Sequence, residues 1–93
     1  MEFEWDPEKD RSNKGKHGID FASATRVFRD PRHITIDSTR PDHGETRMKA
    51  VGLVEDRLMV VIFTDRGANR RIISARRARP NERRDYDQGQ AGT

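Results

Sequence analysis

The sequence predicts an α+β domain: two N-terminal helices, a four-stranded antiparallel sheet and a C-terminal helix. Three observations carry that prediction. Helix starts and apolar helical spacing are confined to residues 6 to 30 and to the stretch after Pro80. Between them, residues 34 to 77 hold β-branched and apolar runs broken by short turn-forming segments, as strands of a meander do. Helices segregated from strands, and not alternating with them, indicate α+β and not a doubly wound α/β fold.

The elements follow in order. Residues 1 to 5 (Met-Glu-Phe-Glu-Trp) alternate polar and aromatic, like a short edge strand. Asp6-Pro7 reads as an N-cap followed by proline at the first helical position, where its missing N–H costs nothing. The helix it opens, Glu8 to Lys16, has no apolar face, and Gly18 suits its C-terminal turn. Asp20 starts a second helix that places Phe21, Ala24, Val27 and Phe28 on one face, and Asp30-Pro31 ends it. Ile34 to Ile36 is a short strand, followed by a polar loop of turn formers over residues 37 to 46. Arg47 to Val54 alternates, with Val51 and Leu53 on one face and Met48, Ala50 and Gly52 on the other. Glu55-Asp56 turns into Leu58 to Phe63, which is apolar at every position and therefore the central strand, covered on both faces. Asp65 to Asn69 turns again, Arg71 to Arg77 is the last strand, and a helix runs from Pro80 to about Asp87. Residues 1–87 thus form one domain, with 88–93 expected as a disordered tail.

Composition sets the bounds. Phe, Ile, Leu and Val total 17 of 93 residues, so the core is small and near the lower limit of independent stability. The 19 basic and 16 acidic residues nearly cancel and the apolar residues cluster in runs, so the chain is expected to fold, with added stability from a partner or from dimerisation. With no cysteine there is neither a disulfide framework nor a thiolate metal site. No apolar run approaches the ~18 residues of a membrane helix and no signal peptide opens the chain, so the expectation is a cytoplasmic location without membrane contact. A pI near 9.8 favours an anionic partner.

The charge is placed, not spread. Arg66 to Arg84 holds eight arginines, one glutamate and no lysine, giving +7 against +3 for the whole chain and leaving −4 elsewhere. Strand alternation puts Arg70, Ile72, Ser74 and Arg76 on one face and Arg71, Ile73, Ala75 and Arg77 on the other. The face holding Ser74 is the more polar, which favours Arg76 as a phosphate contact, since a guanidinium binds phosphate oxygens bidentately. Arg77 is left to anchor the final helix or to reach across the strand end. The bland alternative is that these arginines only solubilise an edge or pair with acids, although clusters of one sign are less usual on plain surfaces. Lys16-His17-Gly18 could shuttle protons or simply cap helix carbonyls, the cap being the commoner role for that pattern alone. His43, Glu45 and Arg47 meet at a strand entrance, where an exposed ion pair is the commoner explanation. His17, His33 and His43 lack helical ligand spacing, and neither a phosphate-cradling glycine loop nor a GxSxG is present. No metal or cofactor is expected, and any catalysis would be acid–base chemistry with arginines stabilising the developing charge.

Several linked segments resemble the BrnT family of toxins, in register over residues 3 to 86. They are Phe3-Glu-Trp-Asp6, Lys9, Asn13, Lys16-His-Gly18 and Phe21; then Val27-Phe28 with Asp30-Pro31, and Gly44-Glu45 with Arg47. Ile72-Ile-Ser-Ala-Arg-Arg-Ala78 and Glu82-Arg83 with Tyr86 complete the set. The resemblance implies a bacterial endoribonuclease toxin of a type II toxin–antitoxin pair, with a RelE-like fold, acting in the cytoplasm and inhibiting translation by cutting RNA. It also implies silencing by a BrnA-type antitoxin and contact with operator DNA only through the toxin–antitoxin complex; a homodimer within a heterotetramer is compatible with such a pair. Two positions depart from the family pattern. Arg79 stands where relatives often carry a capping threonine, and Ser23 where a glutamate would complete a capping box with Asp20. In a metal-free RNase of this kind the ribose 2′-OH attacks the adjacent phosphate. Arg76 and Arg47 would then hold phosphate charge with Arg77 in support, and Glu45 or His17 would serve as base or acid. Tyr86 would position substrate, while Lys16, Arg79 and Arg83 bind or steer RNA. The competing reading is a non-catalytic nucleic-acid- or partner-binding module using the same arginines. A DNA-binding domain is a weaker third, for lack of a recognition-helix pattern.

Overall fold

The computed structural model describes residues 1–91. Along the chain run β1 (Glu2–Glu4), α1 (Pro7–His17), α2 (Phe21–Ala24) continuing as a 3₁₀ turn (Thr25–Arg29), and β2 (Ile34–Asp37). A second 3₁₀ turn (Pro41–His43), β3 (Met48–Val54), β4 (Arg57–Arg66), β5 (Asn69–Arg77) and α3 (Pro80–Ala91) complete it. The strand order is β1-β5-β4-β3-β2.

This corrects the expected four-stranded antiparallel sheet. β2 to β5 do form an antiparallel meander, but β1 adds a fifth strand, parallel to β5, and makes the sheet mixed. The chain leaves β1 through the helices and enters the sheet at its far edge, so β5 ends beside β1 running the same way. An Arg71–Glu4 ion pair at 2.7 Å ties that junction. The second helix is also shorter than its spacing suggests: one α turn, then a tighter 3₁₀ segment that still buries Val27. At the other end α3 runs past Asp87 to Ala91, so residues 88 to 91 of the expected tail are helical, while residues 92–93 lie outside those described. The Gln90 side chain, donating to the Arg32 carbonyl at 2.9 Å, ties this last turn to the body of the domain.

Local signals account for the helix ends. Asp6 accepts the Glu8 N–H at 2.9 Å, and Gly18 closes α1 in the left-handed region at φ 71°, which glycine adopts without a Cβ clash. Asp20 accepts the Ser23 N–H at 2.7 Å, so the α2 cap works without the glutamate. With no apolar face, α1 is held by a polar anchor instead. Buried Asn13 accepts the Ala75 N–H at 3.1 Å and donates to the Ala75 and Ile19 carbonyls, both at 2.9 Å. Its amide completes the β5 edge where β1 has ended, as a neighbouring strand would.

Both faces of the sheet are covered around β4. Met59, Val61 and Phe63 pack with Phe21, Ala24, Val27, Ile72 and Ala75 under α1 and α2. Leu58 and Val60 pack with Val51 and with Tyr86 of α3. A β-bulge interrupts the β4–β5 ladder: Ile62 pairs with Ser74 and Phe63 with Ile72, leaving Ile73 as the extra residue. The bulge divides the face expected to hold Arg70, Ile72, Ser74 and Arg76. Ile72 enters the core beneath the first helices, and the Arg70 guanidinium lies 4.3 Å over the Phe63 ring on that same side. Ser74 and Arg76 face the α3 side.

Candidate active site

On the α3 side, pairing aligns two rows across the sheet, Lys49–Ile62–Ser74 and Val51–Val60–Arg76. α3 covers the apolar row near Tyr86. The other row floors an open cavity of about 470 Å³, within the usual range of ligand sites. Its walls are Arg40, which caps the second 3₁₀ turn, and His43, which ends it, Arg47 at the entrance to β3, Lys49, Arg76, and Arg79, Asn81 and Glu82 from the start of α3. Five cationic side chains thus converge with one carboxylate.

That carboxylate organises the site. The Glu82 side chain is 2% exposed. Its Oε1 accepts from Arg76 Nη1 at 2.7 Å and from the Arg79 N–H at 2.8 Å; its Oε2 accepts from Arg76 Nη2 at 2.8 Å and from Lys49 Nζ at 3.0 Å. Burial by itself would raise the carboxyl's pKa, but Arg76, the Arg79 N–H and Lys49 outweigh it and bring it down to about 2. Arg76 is in turn held protonated still more firmly by Glu82. The Arg79 N–H contact is also half of a capping box, with Pro80 at the first helical position, so the missing threonine at Arg79 is offset. Glu82 therefore starts the helix and fixes two cations over the cavity in one arrangement.

Arg47 is placed by its backbone: its N–H donates to Thr39 Oγ1 at 2.9 Å, and its carbonyl accepts the Ser38 N–H at 2.9 Å. Its Nε lies 3.5 Å from Glu45 Oε1 and is buried without a hydrogen bond. Glu45 turns away from the cavity walls toward Arg66, which donates to it at 3.1 Å; first Arg66 and then Arg47 hold its carboxyl below the ordinary range. Glu45 thus bridges Arg66 and Arg47, and its geometry is that of a support for Arg47.

The remaining residues singled out in the sequence separate. His17 and Lys16 line an adjoining cavity of about 210 Å³ with Lys9 and Asn13, which shares Ile73 and Ser74 with the larger one. Among the described residues no hydrogen bond engages the His17 ring. Arg79 is exposed at the cavity rim. Arg77 pairs across the ladder with Met59, a core residue of the opposite face, and so does not join Arg76. Arg83 is exposed on α3, outside the cavity. Tyr86 is 6% exposed in the core and donates its hydroxyl to Asp30 Oδ2 at 2.7 Å; burial and then Asp30 push its pKa up to about 12. It is not among the walls of the cavity, and its hydroxyl ties α3 to the segment that follows α2. Lys49, Glu82 and Arg40 line the cavity without having been singled out for a site in the sequence, and His43, read there beside an exposed ion pair, lines it too. Sequence signals existed for two of these: alternation puts Lys49 on the Val51 face, and Glu82 stands three residues after the helix N-cap.

Among the described residues, no three His, Cys, Asp or Glu side chains group as metal ligands, and no helix is long and apolar enough to cross a membrane. A family model described as "Ribonuclease toxin, BrnT, of type II toxin-antitoxin system" matches residues 5–82. The chain belongs to the BrnT family. No curated protein matches it. As a BrnT protein it is a ribonuclease toxin of a type II pair, with RNA as its target and an antitoxin as its partner. The matched span takes in every wall of the cavity and ends at Glu82, whereas Arg83 and Tyr86 lie beyond it. A basic cleft of this size suits a BrnT substrate, because phosphodiester charge must be met by fixed cations.

Proposed function

We propose that this BrnT toxin is a metal-independent endoribonuclease that uses the substrate's own 2′-OH as nucleophile, and that it arrests translation in the cytoplasm. One observation carries the reading: Arg47, Lys49 and Arg76 converge on one cavity whose single wall carboxylate, Glu82, is already bound by two of them. Glu82 holds Arg76 and Lys49 in place before substrate arrives, the preorganisation that charge stabilisation in a transition state requires. In the reaction the 2′-oxygen bonds to phosphorus as the P–O5′ bond breaks. Arg76, Arg47 and Lys49 meet the charge on the non-bridging oxygens, and Arg79 and Lys16 guide the flanking backbone. His17, across Ser74, carries the proton removed from the 2′-OH and returned to O5′.

The partner in this reading is a BrnA-type antitoxin whose acidic segment covers the arginine face, since complementary charge both masks and recognises such a surface. The antitoxin brings the DNA-reading module to the operator, and the toxin forms a homodimer within a heterotetramer. The test is cleavage of an RNA oligonucleotide by toxin freed of metal with EDTA. Expected are cuts that persist in the chelator, 2′,3′-cyclic phosphate ends, and no cut where the attacking ribose is replaced by 2′-deoxyribose. Cleavage that needs added Mg²⁺, or that proceeds at the deoxy position, would overturn the reading.

A further inference from the structure

We propose that His43 contacts the substrate as a neutral imidazole, its Nε2–H donating a hydrogen bond to a phosphate oxygen, and takes no part in proton transfer. The inference rests on the ribonuclease reading above and adds a residue to that site. His43 ends the 3₁₀ turn Pro41–His43 and lines the cavity together with Arg47, Lys49 and Arg76. Two bonds fix it on its own turn. Its N–H donates to the Arg40 carbonyl at 3.0 Å, and its Nδ1 lies 3.2 Å from the Arg40 N–H. Gly44, in the left-handed region at φ 68°, reverses the chain just after it and leads into the segment that positions Arg47.

The second bond decides the tautomer. A backbone N–H can only donate, so Nδ1 must present its lone pair, and the ring proton sits on Nε2. Among the described residues nothing else engages the ring, which leaves Nε2–H for the cavity. A general base would need the lone pair on Nε2 and hence a proton on Nδ1, set against the Arg40 N–H. A general acid would need both nitrogens protonated. That meets the same conflict and adds a positive charge to a cavity walled by Arg40, Arg47, Lys49, Arg76 and Arg79, with Glu82 as its one acid. A neutral ring that donates without changing its protonation state avoids both, and polarisation of a substrate oxygen by neutral imidazole is a known catalytic device.

The two isosteric amides separate these roles. In His43→Gln the side-chain nitrogen falls near the position of Nε2 and keeps a donor toward the substrate. In His43→Asn an oxygen can take the place of Nδ1 and keep the Arg40 contact, but no donor reaches the cavity. Single-turnover cleavage of the RNA oligonucleotide is measured across pH 5 to 9 for wild type, Gln, Asn and Ala, with urea midpoints confirming that all are folded. Expected is Gln within a few-fold of wild type and a pH profile of unchanged shape. Asn and Ala should lose rate on the order of a hundredfold at every pH, the effect of deleting one preorganised donor. Wild-type protein that cuts no RNA would sink the ribonuclease reading and this inference with it. Wild-type cleavage with Gln as slow as Ala, with Ala unchanged, or with a limb of the profile lost in Gln, would overturn this inference alone.

Discussion

Replacing Glu82 with glutamine tests whether this buried carboxylate holds the domain and its site together. Each carboxylate oxygen accepts two hydrogen bonds, one from Arg76 in each case. An amide offers one oxygen, so whichever way it turns its NH₂ opposes two donors, and one of them belongs to Arg76. The carboxyl falls from an ordinary 4.5 to about 2 in the fold. At about 1.4 kcal/mol per pH unit, that drop corresponds to about 3 kcal/mol of stability. The figure agrees with the roughly 3–5 kcal/mol typical of removing one partner from a buried ion pair. Because the folded pKa is lowered, the contribution is present in full above 4.5 and is lost as the pH falls from 4.5 toward 2. Urea unfolding of both proteins from pH 7 down to pH 2 measures it. The glutamine variant should be about 3 kcal/mol less stable at pH 7, and the gap should close as the pH nears 2. Asp30 and Asp65 also have lowered carboxyls, but they are common to both proteins and cancel in the difference. A gap below about 1 kcal/mol at pH 7, no larger than an exposed ion pair supplies, or one that ignores pH, would refute the reasoning.

Two further substitutions separate structural from functional roles. Asn13→Ala removes the partner of three buried backbone groups, Ala75 N–H, Ala75 C=O and Ile19 C=O, and should cost about 3 kcal/mol in urea unfolding. Hydrogen exchange should report the same loss as faster exchange of the Ala75 amide; unchanged exchange there would show that α1 is held some other way. Tyr86→Phe deletes the hydroxyl that donates to Asp30 at 2.7 Å and should cost about 2 kcal/mol, the scale of a hydrogen bond to a charged group. Its RNA cleavage per folded molecule should match wild type, and a folded variant that cuts poorly would return Tyr86 to the site.

Several features could be read from residues because their causes are local. Asp6-Pro7, Gly18 and Asp20 set helix ends through bonds that span no more than four residues. The unbroken apolar run of β4 marked a strand covered on both sides whatever its neighbours, and the concentration of arginine from Arg66 to Arg84 marked an anionic target. Tertiary structure decided the rest. β1 pairs with a strand 67 residues away, and no local pattern distinguishes a free edge strand from one that joins a sheet. The bulge at Ile73 leaves no compositional mark, since any residue can be the extra one, yet it sends Arg70 and Arg76 to opposite faces. Glu82 looked like one acid diluted among arginines. Only the fold brings it under Arg76, six residues earlier, and Lys49, 33 residues earlier, and strips it of water so that those contacts outweigh its burial. Sequence could therefore show which charges this protein concentrates. Which of them are free for RNA and which are held by a carboxylate depends on distances between residues far apart in the chain, and folding sets those distances.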